Sequence, residues 1–157
     1  MKKIVTLDQA IIISKDLRAH EKSIVLVGGC FDIIHKGHRA FLTKAKKQGD
    51  YLFIALESDE NVKRLKGKNR PINNQQKRAE LLSGILFADY ICMLPPLTTD
   101  KEYFTLTKIL APDVIAITKG DPKQQQKEQY AKAIGAKLAV VTNRLEQYAT
   151  SKIINHT

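Results

Sequence analysis

Five short apolar runs recur along the chain: Ile24-Val25-Leu26-Val27, Tyr51-Leu52-Phe53-Ile54-Ala55-Leu56, Tyr90-Ile91-Cys92-Met93-Leu94, Val114-Ile115-Ala116-Ile117 and Leu138-Ala139-Val140-Val141. They are continuous rather than alternating, which is how strands read when both faces of a parallel sheet are covered. Segments with helical spacing lie between them. One sets Ala40, Phe41, Leu42 and Ala45 against Lys44, Lys46 and Lys47; another carries Ala79, Leu82, Ile85 and Leu86. A third follows a Thr99-Asp100 start with Tyr103, Phe104, Leu106, Ile109 and Leu110. The next is punctuated by Asp121 as N-cap, Pro122 in the first turn and Gly135 past its end. Ahead of the first run, Thr6-Leu7-Asp8-Gln9 fits a capping box and predicts an opening helix.

This alternation predicts one domain over residues 1–157, made of an N-terminal helical extension (1–20) and an α/β core (21–157). The expected core is a Rossmann-like, doubly wound, five-stranded parallel sheet with helices on both faces. Such sheets bind ligands beyond the carboxyl ends of their strands, so the loop after the first run is the first place to seek chemistry.

Composition narrows the function. The 157 residues are 43% hydrophobic and 27% charged, enough to bury a core without disulfides or a structural metal. The formal charge of +10 points to phosphate-bearing partners: nucleic acid, nucleotide, phospho-metabolite or anionic lipid. Two cysteines and no apolar stretch near the ~20 residues of a membrane span argue against a secreted disulfide scaffold and against membrane insertion. A cytoplasmic location is the expectation. The basic residues are dispersed, with no aromatic-interleaved pattern, so no specific nucleic acid is expected as a partner.

The loop reads Gly28-Gly29-Cys30-Phe31-Asp32-Ile33-Ile34-His35-Lys36-Gly37-His38. Two glycines suit a sharp turn with close backbone approach to a ligand. Gly37 falls where the next helix begins, and a helix start offers free N–H groups and partial positive charge to an anion. His35 and His38, three apart, can present both rings on one side and donate to phosphate oxygens as charge develops on them. With 4 His and 8 Gly in the chain, H-x-G-H after a glycine-closed strand is a specific signal. Asp32 is expected to fix the loop through backbone N–H groups, and Cys30 to line a nucleotide site as a small buried residue.

The run G-C-F-D-x-x-H-x-G-H resembles the signature of the cytidylyltransferase-like nucleotidyltransferases, which include glycerol-phosphate cytidylyltransferase and the adenylyltransferase of ADP-heptose synthesis. The resemblance extends through Leu65-Lys66-Gly67-Lys68-Asn69-Arg70-Pro71-Ile72-Asn73, Arg78, Leu82, Ala88-Asp89-Tyr90-Ile91, Ala111-Pro112-Asp113-Val114 and Lys119-Gly120-Asp121. It ends in Arg144-Leu145-Glu146-Gln147-Tyr148-Ala149-Thr150-Ser151-Lys152-Ile153-Ile154, where Gln147 and Ala149 depart from the family's glycine and first serine. The opening helix and Cys30 favour the ADP-heptose branch.

The resemblance implies transfer of a nucleoside monophosphate from ATP or CTP to a phosphorylated acceptor with release of pyrophosphate. Adenylyl transfer to a sugar 1-phosphate is the main expectation. Alternatives are a cytidylyltransferase making a CDP-alcohol, a flavin-type adenylyltransferase, a degenerate nucleotide binder and a basic nucleic-acid-binding module. Positioning and charge neutralisation carry such a reaction, because a phosphate monoester is already an anionic nucleophile. The catalytic candidates are His35, His38, Lys66 (with Lys68 as substitute) and Arg78, the last expected to contact phosphate or the loop. Lys63, Arg64, Lys66, Lys68 and Arg70 read as a basic loop. Nucleotide-binding candidates are Gly29, Cys30, Phe31, Gly37, Lys119, Gly120, Asp121, Arg144, Thr150 and Ser151. Mg²⁺ is expected to arrive with the triphosphate rather than on a dedicated protein site. A homodimer is a further implication of the resemblance.

Overall fold

Every apolar run singled out above forms a strand in the computed structural model, which describes residues 2–142. In chain order the elements are β1 (Ile4–Thr6), α1 (Leu7–Ala19), β2 (Ile24–Gly29), α2 (Lys36–Lys46), β3 (Tyr51–Leu56), α3 (Asp59–Lys66), α4 (Gln75–Ser83), β4 (Tyr90–Met93), α5 (Asp100–Leu110), β5 (Val114–Thr118), α6 (Gln124–Ile134) and β6 (Lys137–Thr142). All strand pairs are parallel, in the order β1-β4-β3-β2-β5-β6. The sheet therefore grows one way from β2 through β3 and β4, and the other way through β5 and β6. The direction reverses between β2 and β5.

The sheet has six strands, not five. Ile4-Val5-Thr6 adds to the β4 edge, with Ile4 opposite Ile91 and Val5 opposite Cys92. Three residues are too short to register as a run, so the N-terminal extension is a strand followed by a helix. Thr6 ends that strand and caps α1 through the expected capping box with Gln9.

Alternate strand residues face opposite layers. Leu52, Ile54 and Leu56 pack with Val25 under α2 and α4, through Phe41, Leu42, Ala79 and Leu82. Phe53 and Ala55 pack with Leu26 on the opposite face, under Ala10 of α1 and Leu106 of α5. Tyr130 and Ala131 of α6 complete that layer over Ile115 and Ile117.

Three boundaries differ from the sequence reading. The α4 helix ends at Ser83, short of Ile85 and of the exposed Leu86. The basic stretch is helical as far as Lys66. Ser58 caps α3 by accepting from the Asn61 N–H at 3.1 Å, with Asp59 and Glu60 in its first turn and Lys63, Arg64 and Lys66 in its last. That charge order favours a short helix through its dipole. At α6 the cap position is Lys123, without a side-chain cap, because Asp121 closes a turn one step earlier by accepting from the Lys123 N–H at 2.7 Å. Gly135 does end α6, in the left-handed conformation with φ 74°.

Candidate active site

The loop after β2 is stressed at Phe31, not at the glycines. Gly28 and Gly29 are the last residues of the strand, in register with Ala55 and Leu56, rather than a turn. The left-handed residue is Phe31, with φ 47°, a conformation costing roughly 1–2 kcal/mol for a residue with a side chain. Its ring is buried in the core beneath α2, tilted on His38 with centroids 5.2 Å apart. Gly29 makes room for it: a Cβ there would lie 2.7 Å from the Phe31 ring.

Asp32 and Arg78 brace this loop. The Asp32 carboxylate is fully buried and accepts from Arg70 Nε at 2.7 Å, the Ile72 N–H at 2.6 Å and the Asn73 N–H at 2.8 Å. Burial alone would raise its pKa; the bonds from Asn73, Arg70 and Ile72 outweigh that and hold it below the ordinary carboxylate range. So Asp32 fixes the loop to a distant stretch of backbone rather than to its own turn. Arg78 is not at the surface. At 0% exposure, its guanidinium donates to Cys30 O at 2.7 Å, Asn73 O at 3.0 Å and Asp59 Oδ1 at 2.7 Å. Of the two contacts expected of it, the structure places it on the loop.

The histidines follow. His35 is the N-cap of α2, and its Nδ1 accepts from the Gly37 N–H at 2.8 Å and the His38 N–H at 3.4 Å. The expected free N–H groups of Gly37 and His38 are therefore taken by the ring itself. His38 Nδ1 in turn accepts from the His35 N–H at 3.4 Å, and the two rings stack at 4.1 Å. An accepting Nδ1 puts the proton of a neutral imidazole on Nε2. His35 Nε2 is buried and, among the described residues, has no hydrogen-bond partner. Burial lowers the His35 pKa. Burial, then the neighbouring His35 and Lys66 charges, bring His38 down to about 4 against an opposing contribution from the Ile33 backbone. At neutral pH both rings are thus uncharged donors.

Lys66 is exposed at the end of α3, yet its charge registers at both His38 and Cys30. Of the two candidate lysines, Lys66 is the one whose charge reaches the His38 ring. Cys30 is half-buried, and burial pushes its thiol up, with Glu57 adding to the effect and Lys66, Arg78 and Arg70 opposing it. Lys119 and Gly120 form an exposed turn at the carboxyl end of β5, where the Lys119 N–H donates to Thr142 O at 2.7 Å and Gly120 has φ 80°. The Asp121 carboxylate turns away to Lys127 Nζ at 2.8 Å. Arg144, Thr150 and Ser151 lie outside the described residues, as do Gln147 and Ala149.

These loops lie at the carboxyl ends of the strands around the point where the sheet reverses direction, and the sequence around them decides the family: residues 26–155 match Cytidylyltransferase-like. The chain belongs to the cytidylyltransferase-like family. Membership makes it a nucleotidyltransferase. The cytidylyltransferase-like domain is 44% identical over 115 residues to the bifunctional protein HldE of Nitratiruptor sp., covering 73% of this chain and 24% of that protein. It is 38% identical over 157 residues to HldE of Helicobacter hepaticus, covering 97% and 30% respectively. The chain thus spans less than a third of the length of these relatives. Among solved structures it resembles a lipopolysaccharide core biosynthesis protein from Thermoplasma volcanium (TM-score 0.61, 24% identity, 78% of this chain and 98% of that one). It also resembles pantoate-beta-alanine ligase from Francisella tularensis (TM-score 0.63, 17% identity, 89% and 66%). At those identities the two structures support the fold.

Three residues that organise the site escaped the sequence reading of roles: Arg70, Asn73 and Asp59. Arg70 and Asn73 stood in the quoted family run, and Asp59 followed a capping serine. Nothing local, however, announced that all three converge on Asp32 and Arg78.

Proposed function

We propose that this domain transfers AMP from ATP to a sugar 1-phosphate, releasing pyrophosphate and forming an ADP-sugar of the ADP-heptose type. The observation that carries it is the buried Nε2 of His35, without a hydrogen-bond partner among the described residues and on a ring stacked on His38 at the point where the sheet reverses. An acceptor phosphate oxygen attacks the α-phosphorus in line, the new P–O bond forms, and the bond to pyrophosphate breaks. No general base is required, because the monoester is already anionic. The neutral His35 imidazole donates from Nε2 to a phosphoryl oxygen, with the His38 ring stacked against it, stabilising charge as it shifts towards the leaving group. Lys66 supplies a mobile positive charge to the phosphates. Arg78 and Asp32 hold the loop that sets these distances.

Mg²⁺ is proposed to come as part of the triphosphate substrate. The buried Asp32 is ill suited as its ligand, since its oxygens are taken by Arg70, Ile72 and Asn73. Among the described residues no three His, Cys, Asp or Glu groups cluster to hold a metal. No helix of the described residues is long and apolar enough to cross a membrane. The likeness to HldE and the opening segment ahead of β2 support the ADP-heptose branch. A coupled pyrophosphate assay tests it, with ATP and CTP each offered heptose 1-phosphate and glycerol 3-phosphate. Release with ATP and the sugar phosphate is expected; strong preference for CTP and glycerol phosphate would replace the reading with CDP-alcohol synthesis.

A further inference from the structure

The end of β3 carries a carboxylate that the reaction above does not use. The Glu57 N–H donates to Gly29 O at 3.1 Å, which sets this residue beside the Cys30 loop at the carboxyl edge, and its charge is felt at the Cys30 thiol. Both carboxylate oxygens accept the Tyr103 hydroxyl, each at 2.9 Å, and Oε1 also accepts from Asn61 Nδ2 at 3.3 Å. Asn61 is buried and anchored by donating to Leu97 O at 2.8 Å and to the Tyr103 oxygen at 3.0 Å. The carboxylate is therefore held in a fixed orientation by residues of α3 and α5.

It is also under-used. A carboxylate offers about four lone-pair directions, and the protein supplies one hydroxyl proton and one long amide contact. Among the described residues no Lys or Arg lies within ion-pair distance of it. A fixed anion in a site for polyanionic substrates repels phosphate and favours a donor that carries no negative charge, and of the groups on the reacting molecules a sugar hydroxyl is one. Position then separates the two sugars of the reaction. The crevice at the reversal lies between β2 and β5 and suits the nucleotide, whereas Glu57 extends β3, on the far side of β2.

We propose that Glu57 selects a polyhydroxylated acceptor, its carboxylate accepting hydrogen bonds from hydroxyls of the sugar that bears the attacking phosphate. Tyr103 is its positioning residue. The inference rests on the nucleotidyl-transfer reading, and its test separates the two. Pyrophosphate release is measured with ATP and heptose 1-phosphate, and with deoxy analogues each lacking one hydroxyl, for the wild type, Glu57→Gln and Tyr103→Phe. Gln keeps the shape and can still accept from Tyr103, but it loses one accepting oxygen.

Glu57→Gln is expected to raise the KM for heptose 1-phosphate at least about tenfold with the KM for ATP unchanged. With the analogue lacking the recognised hydroxyl, wild type and variant become equal. Tyr103→Phe raises the same KM by a smaller factor and carries the test should Glu57→Gln fail to fold. An equal loss with every acceptor would mark Glu57 as merely structural and overturn the proposal. A raised KM for ATP that 2′-deoxy-ATP or 3′-deoxy-ATP erases would overturn it in favour of ribose recognition. A wild type that releases no pyrophosphate with any sugar phosphate overturns the underlying reading itself.

Discussion

Replacing Arg78 with Met keeps an unbranched apolar stem but removes the guanidinium that braces the loop after β2. The guanidinium makes three bonds: to Cys30 O, to Asn73 O and to the Asp59 carboxylate. Hydrogen bonds to a charged group are worth about 1.5–3 kcal/mol each, and the two carbonyls would lose them in a fully buried position. The Asp59 side chain is 46% exposed, so its share is screened to about 1 kcal/mol or less. The expected cost is about 3–5 kcal/mol, in line with breaking a buried charged network. For a chain of this size that lowers the Tm by roughly 6–20 °C. Urea unfolding followed by circular dichroism gives the free energy, and pyrophosphate release is assayed alongside. Arg78→Lys is expected to recover only part of the loss, since one ammonium cannot span three acceptors. Wild-type stability within about 1 kcal/mol, combined with a large fall in turnover, would refute the brace and return Arg78 to direct contact with substrate.

His35→Ala and His38→Ala are each expected to lower turnover at least ~10²-fold, the loss typical of one transition-state donor; wild-type-like rates in both would remove the site. Lys66→Ala is expected to cut kcat/KM about tenfold or more, the value of one phosphate contact near 1.4 kcal/mol, while Lys68→Ala leaves it near wild type; the reverse order would exchange their roles. Gly29→Ala drives a methyl to within 2.7 Å of the Phe31 ring and is expected to destabilise by about 1–3 kcal/mol, read by thermal melting. Because His38 is held down to about 4 in the fold against 6.5 ordinarily, the unfolded chain binds its proton first as pH falls. His38 therefore contributes stability that is complete above pH 6.5 and lost by pH 4, up to about 3 kcal/mol. Urea midpoints at pH 7.5 and 4.5 are expected to separate less in His38→Asn than in the wild type, and equal separations would contradict the assignment.

The five long apolar runs made the parallel sheet legible, and the glycine-histidine loop was found at the strand end where such sheets bind ligands. Capping residues placed α1 and α5 because Thr6 with Gln9 and Thr99 with Glu102 act within a single turn. What stayed hidden was long-range. Local context alone would leave an arginine between glutamines and leucines at the surface, and only the family resemblance pointed Arg78 towards the loop, since its burial depends on carbonyls 48 and 5 residues away. β1 was missed for want of length, and α3 because its run of cations masked the Ser58-Asp59-Glu60 start. The strain at Phe31 is similarly illegible: the glycines beside it suggested that they were the special backbone positions, whereas Gly29 serves by lacking a side chain.

The α4 helix is tethered twice. Arg78 ties its middle to the loop after β2, and Lys3 Nζ, from just before the edge strand, donates at its other end to Ser83 O at 3.3 Å and Ile85 O at 2.9 Å. The outermost strand thereby acts as a guy-line for the mast on which the loop after β2 is rigged. Slackening at that distant margin would be transmitted to the imidazoles as misalignment, with no ligand contact altered along the way.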